Sequence, residues 1–119
     1  MIVDDEIAVL EITKATLEVH QYRVITANDG IEAIAVFAEH KHDISVVLLD
    51  LMMPFLDAAT TIRTLYKLNP QAQIIAMSGL ATNESVTQKV HEGVQGFLAK
   101  PFTAPELLNL VAHLCQSDP

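Results

Sequence analysis

Ile44-Ser45-Val46-Val47-Leu48-Leu49-Asp50 is a nearly unbroken aliphatic run that ends on a carboxylate. Apolar character on successive residues, rather than on alternate ones, suits a central strand covered on both faces, as in a parallel sheet. Outward from that strand, expected at 44–49, short β-branched runs at 2–3, 22–27, 74–77 and 96–98 read as further strands. Between and after them, segments of helical period fall at 6–20, 30–39, 58–68, 84–91 and 104–115. Five strands alternating with five helices predict βα units, and therefore an α/β, doubly wound architecture with helices on both faces of the sheet.

Local signals support these boundaries. Asp29 with Glu32, and Thr103 with Glu106, have the spacing in which a cap residue and a carboxylate three positions on satisfy the free amides of a helix start. In the first helix Val9, Ile12, Thr13, Thr16 and Leu17 form a mostly apolar stripe at intervals of three and four, expected to lie against the sheet. Ile7 and Leu10 fall off that stripe, which marks them as an exposed apolar pair suited to anchoring a partner.

Composition limits the function classes. The 119 residues make one domain, 50% hydrophobic and 18% charged, with no apolar run long enough to cross a bilayer. No basic segment or apolar signal core follows Met1, so a cytoplasmic location without membrane insertion is expected. The net charge of −8 and scattered Lys and Arg residues argue against direct nucleic-acid binding. Cys115 has no second cysteine to pair with and reads as a small buried hydrophobe. The five histidines show no metal-ligand spacing and read as surface residues.

Chemistry gathers where the strands end, which is where ligands collect in open parallel sheets. The first strand runs into Asp4-Asp5, the third ends at Asp50, the fourth at Met77-Ser78-Gly79, and the fifth is followed by Lys100-Pro101. Taken singly, each has a plainer reading: a helix cap, a turn, a loop, a proline turn that can be cis. Taken together they describe a pocket. Three carboxylates would repel one another unless a cation joined them, and an all-oxygen set suits Mg²⁺. A lysine and a hydroxyl beside that set suit the anionic oxygens of a phosphoryl group, which makes Asp50 a nucleophile.

The set Val3-Asp4-Asp5-Glu6, Leu49-Asp50-Leu51-Met52-Met53-Pro54, Met77-Ser78-Gly79 and Lys100-Pro101-Phe102 resembles the response regulator receiver family, chemotaxis regulators included, across essentially the whole chain. The resemblance implies one receiver domain over 1–119, a flavodoxin-like (βα)5 three-layer sandwich with a parallel five-stranded sheet of order 2-1-3-4-5. It implies phosphorylation of Asp50 by a histidine kinase or phosphotransfer domain, with Mg²⁺ held by Asp5, Asp50 and the Met52 carbonyl, and by Asp4 mainly through water. Ser78 and Lys100 would contact the phosphoryl oxygens, and Ser78 with Phe97 would form the switch that reads phosphorylation out. Such a domain catalyses its own phosphorylation and dephosphorylation without being a turnover enzyme, and it serves a response regulator or a hybrid sensor kinase. Apolar Met52 and Leu80, two residues beyond Asp50 and Ser78, imply slow hydrolysis.

Three departures from the family pattern stand out. The first strand is short; Ala58 stands where Gly commonly follows Asp57, at a loop where positive φ is expected; and Gln21 replaces a common Gly in a turn. Competing readings are a haloacid dehalogenase-like phosphohydrolase, a docking module that has lost its chemistry, and a flavodoxin-like electron carrier. The first would carry Asp-x-Asp where Asp4-Asp5 stands, the second would lack pocket residues, and the third would have a Ser/Thr- and Gly-rich first loop.

Overall fold

The computed structural model describes residues 1–52, 57–79 and 93–115. Its five strands are β1 (Ile2–Val3), β2 (Thr26–Ala27), β3 (Val46–Asp50), β4 (Gln73–Ser78) and β5 (Gly96–Ala99). All pair in parallel, in the order β2-β1-β3-β4-β5. The helices are α1 (Ile7–Val19), α2 (Gly30–His40), α3 (Ala58–Leu68) and α4 (Ala104–Cys115). The helix expected at 84–91, along with Met53, Pro54 and Leu80, lies outside the described residues.

β3 explains the architecture. Val47 and Leu49 face one core with Ala33 and Phe37 of α2 and Ile62 and Leu65 of α3. Leu48 between them faces a second core with Leu10 and Leu17 of α1 and Leu107, Val111 and Leu114 of α4. A strand that alternates between two dry faces must be apolar at every position, and burial of each such side chain contributes about 1.5–3 kcal/mol.

The expected caps form: Asp29 Oδ1 accepts the Glu32 amide at 2.8 Å, and Thr103 Oγ1 accepts the Glu106 amide at 3.3 Å. Asp57 also caps α3, accepting both the amide and the hydroxyl of Thr60. Ala58 is therefore a buried first-turn residue of α3 with no positive φ.

Several expectations need correction. The buried face of α1 is Leu10, Thr13 and Leu17, while Ile12 is 68% exposed. Thr13 and Leu17 of the expected stripe do face the sheet, but Leu10 rather than Ile12 completes the buried row. Leu10 therefore belongs to the core and cannot anchor a partner, whereas Ile7 is 67% exposed. β2 is confined to Thr26–Ala27 rather than 22–27, because Ile2 and Val3 offer it only two ladder partners. Cys115 is exposed. Among the described non-glycine residues, only Gln21 has positive φ, at 70°.

Candidate functional site

β1, β3 and β5 deliver Asp4, Asp50 and Lys100 to one end of the sheet. Asp4 is fully buried and Asp50 is 2% exposed, the depth expected of residues still within or just beyond central strands. The Lys100 ammonium lies 2.7 Å from Asp4 Oδ2 and 3.3 Å from Asp50 Oδ2. A cis Lys100-Pro101 bond follows the lysine, and its amide donates to the Ser78 carbonyl, tying β5 to the end of β4. Asp4 Oδ1 accepts the Glu6 amide at 3.0 Å and Asp50 Oδ1 the Met52 amide at 3.1 Å, so each carboxylate is oriented by the turn after its own strand.

Burial pushes the Asp50 carboxyl from 3.8 up to about 6, and the negative charge of Asp4 adds to this, while the Met52 amide and Lys100 pull it down. Burial also works against the charge on Lys100, but the hydrogen bond to Asp4 and the charges of Asp50 and Asp4 outweigh it and raise the ammonium above its ordinary value. One lysine therefore stabilises two buried carboxylates incompletely.

Asp5 is exposed at the mouth, and one oxygen of each of Asp4, Asp5 and Asp50 lies within 4.8 Å of the others. Three hard carboxylate donors opposed by one ammonium fit a divalent cation with oxygen preference. Met52 sits in the turn leaving β3 and is 49% exposed.

Ser78 is buried at the end of β4, and Phe97 pairs with Ala76 in the β4–β5 ladder. Phe97 packs against the α2–α3 core, as does Ala76, two residues before Ser78. By strand alternation Ser78 and Phe97 thus share one face of the sheet, while Asp4, Asp50 and Lys100 continue the alternation of the other. The structure brings Asp4, Asp5, Asp50 and Lys100 together, with Ser78 at the adjoining end of β4 and Phe97 in the ladder below it. Sequence reasoning missed the Glu6 carboxylate, 3.9 Å from Lys100.

The chain matches the response regulator receiver domain family over residues 1–112. It is 29% identical over 112 residues to chemotaxis protein CheY of Bacillus subtilis, covering 93% of this chain and 92% of that protein. It is 30% identical over 118 residues to sensor kinase CckA of Brucella abortus, covering 99% of this chain and 12% of that protein. A chain in the crystal structure of the CheX-CheY-BeF3-Mg²⁺ complex from Borrelia burgdorferi superposes with a TM-score of 0.85 at 27% identity, covering 96% of this chain and 86% of its own length. The chain spans less than half the length of several other curated relatives. With the five-stranded order, the acidic pocket and these relatives in agreement, the chain belongs to the response regulator receiver domain family, the phosphoacceptor modules of two-component signalling.

Proposed function

We propose that Asp50 accepts the phosphoryl group, from a histidine kinase or phosphotransfer domain, and that 1–119 acts as one receiver unit. The observation that carries this reading is a nearly dry carboxylate, 2% exposed, held 3.3 Å from the Lys100 ammonium inside a group of three aspartates. With its pKa near 6, Asp50 is mostly ionised at pH 7 and able to attack. Its oxygen forms a bond to phosphorus as the P–N bond of a phosphohistidine breaks, and the electron pair leaves with the imidazole.

Positioning and charge supply most of the catalysis in such a transfer. The Met52 amide fixes the rotation of the Asp50 carboxylate. Lys100, already against Asp4 and Asp50, moves its ammonium onto the incoming phosphoryl oxygens, and the Ser78 hydroxyl donates to another. Asp5 and Asp50, with the Met52 carbonyl and with Asp4 through water, would hold Mg²⁺, which neutralises charge on the transferring group. The similar solved complex that contains Mg²⁺ and BeF3 supports a divalent cation at this site by analogy. Readout runs through Ser78 and Phe97: as the hydroxyl shifts toward the phosphoryl group, Phe97 turns into the vacated space.

No helix among the described residues is long and apolar enough to cross a membrane. A cytoplasmic setting, where kinases hold their phosphohistidines, fits the proposed role. Ile7 and Met52, exposed and each two residues beyond a pocket aspartate, are the apolar anchors offered to the donor protein.

Acetyl phosphate with Mg²⁺ should add one phosphate to the wild type by intact mass and none to Asp50→Asn. Equal labelling of the two would remove Asp50 from the role. Ser78→Ala should bind beryllofluoride yet lose the hydrogen-exchange change that wild type shows in β5. An unchanged pattern would sever the Ser78–Phe97 route.

A further inference from the structure

Glu6 is the N-cap of α1, a position where a short oxygen-bearing side chain normally closes onto the helix amides, yet its side chain makes no capping hydrogen bond. Its carboxylate instead lies 3.9 Å from the Lys100 ammonium. Lys100 therefore meets three carboxylates, two of them buried and one, Glu6, 64% exposed. Glu6 differs from Asp5, the other exposed carboxylate of the pocket, in lying outside the group whose oxygens converge within 4.8 Å. A divalent cation bound by that group would, together with the Lys100 ammonium, offset the three charges of Asp4, Asp5 and Asp50, which leaves Glu6 as the uncompensated negative charge on the solvent side of Lys100.

We propose that Glu6 is a specificity-determining residue for the phosphodonor, an inference that rests on Asp50 being the acceptor. A phosphodonor reaches Asp50 from the solvent side, because Asp50 and Asp4 are closed to water from below by the sheet. A free dianionic donor is repelled there by the Glu6 carboxylate, and Lys100 is partly held back by it. A donor mounted on a protein brings docking contacts that offset the repulsion, so the charge disfavours small phosphate esters and anhydrides relative to the protein donor. At this separation through water the effect is modest, scales with donor charge and is screened by salt.

The test compares acetyl phosphate, a dianion at neutral pH, with phosphoramidate, whose protonated nitrogen makes it less negative. Labelling rates of the full chain are measured at saturating Mg²⁺ over a range of ionic strength. Glu6→Gln should raise the acetyl phosphate rate about threefold to tenfold at low ionic strength, and the phosphoramidate rate by a smaller factor. Both should converge on wild type at high salt. Glu6→Asp, which keeps the charge, should stay near wild type, and so should Glu11→Gln, which removes an exposed charge farther along α1. A Glu6→Gln rate within 1.5-fold of wild type, or a gain equal for both donors and insensitive to salt, overturns the proposal. The reading beneath it is checked separately by Asp50→Asn: if wild type labels and Asp50→Asn does not, a flat Glu6→Gln result removes only the donor filter. If wild type itself fails to label at Asp50, the acceptor and the filter fall together.

Discussion

At the end of the sheet where the strands finish, Asp4 and Asp50 are buried beside a partly buried Lys100, with too little opposite charge. At the end where the strands begin, the Gln95, Tyr66 and Asn69 side chains are engaged in neutral hydrogen bonds. There the Gln95 side chain accepts the Ile74 amide at 2.7 Å while the Gln95 amide donates to the Ile74 carbonyl at 2.9 Å, so one glutamine caps the start of β4 in both directions. The Tyr66 hydroxyl at the end of α3 reaches Gln95 Oε1 and the Gly93 carbonyl, each at 2.8 Å, and Asn69 donates to the Lys41 carbonyl. The same aliphatic strands thus run between a satisfied end and a strained one. Local stability is given up where an incoming charged group will restore it, which is how a site keeps its reactivity.

The largest expected effect lies at the strained end. Lys100→Met should slow acetyl phosphate labelling of Asp50 by about 100- to 1000-fold at saturating Mg²⁺, because the ammonium is the one fixed cation against the transferring charge among the described residues. A loss below tenfold would reduce Lys100 to a counter-ion for Asp4 and erase much of the contrast between the two ends.

The strain itself is measurable without phosphorylation. The unfolded carboxyl of Asp50 titrates near 3.8 and the folded one near 6, so between these values only the folded state holds the proton. Stability contributed by the protonated group is complete below the lower value and lost as pH rises through the upper one. The loss amounts to about 2–3 kcal/mol by pH 7.5 in the absence of divalent cations. Asp50→Asn should remove it, and urea titrations should show the variant more stable than wild type at pH 7.5 but equal to it below pH 4. Mg²⁺ should stabilise the wild type by about 1.4 kcal/mol at ten times its Kd and leave Asp50→Asn almost unchanged. If the variant is no more stable at pH 7.5, the pocket is not strained.

The strained end was legible in the sequence and the satisfied end was not, for a physical reason. Carboxylates and a lysine directly after aliphatic runs are improbable as core filling, and the strand period alone carries them to one edge, so Asp4, Asp50, Ser78 and Lys100 could be assembled without coordinates. α3 and α4 were bounded correctly, α4 with the help of its Thr103 cap, whereas the Asp57 cap of α3 was not singled out. Tyr66 and Gln95 are ordinary polar residues, 29 positions apart, and nothing in their local pattern announces a contact that only the packing of α3 beside β5 creates. The face of α1 was legible only in part: Thr13 and Leu17 lie on it as expected, but Ile7, Val9, Leu10, Ile12 and Val19 spread apolar character around the helix and made Ile12 as plausible a core residue as Leu10. The carboxylate of Glu6 escaped notice because an acidic residue at a helix start already has a routine explanation in capping and the helix dipole.

At the satisfied end, Tyr66→Phe should cost about 1 kcal/mol in chemical denaturation, the net worth of one hydrogen bond. It should leave acetyl phosphate labelling unchanged. A labelling defect would show that the two ends are coupled through β4 and β5.

The smallest expected effect concerns a place at the satisfied end where the backbone is strained, the one left-handed non-glycine among the described residues. α1 closes with the Tyr22 amide on the Leu17 carbonyl and the Gln21 amide on the Glu18 carbonyl, the paired bonds of a Schellman motif, with Tyr22 packed on the same core as Leu17. The motif requires a left-handed residue just past the helix, and Gln21 fills it at φ 70°. A β-carbon there crowds the following carbonyl, at a cost of roughly 1–2 kcal/mol for most L-residues, while glycine adopts the conformation freely. Glycine also gains more freedom in the unfolded chain, which takes back part of the benefit. Gln21→Gly should therefore stabilise the fold by about 0.5–1 kcal/mol, seen as a higher urea midpoint at unchanged slope, with no change in labelling because the turn lies at the far end of β2 from Asp50. A midpoint lowered by the substitution would mean that the Gln21 side chain contributes more through contacts than its backbone costs, and the turn would then count with Tyr66 and Gln95 as a built contact rather than as residual strain.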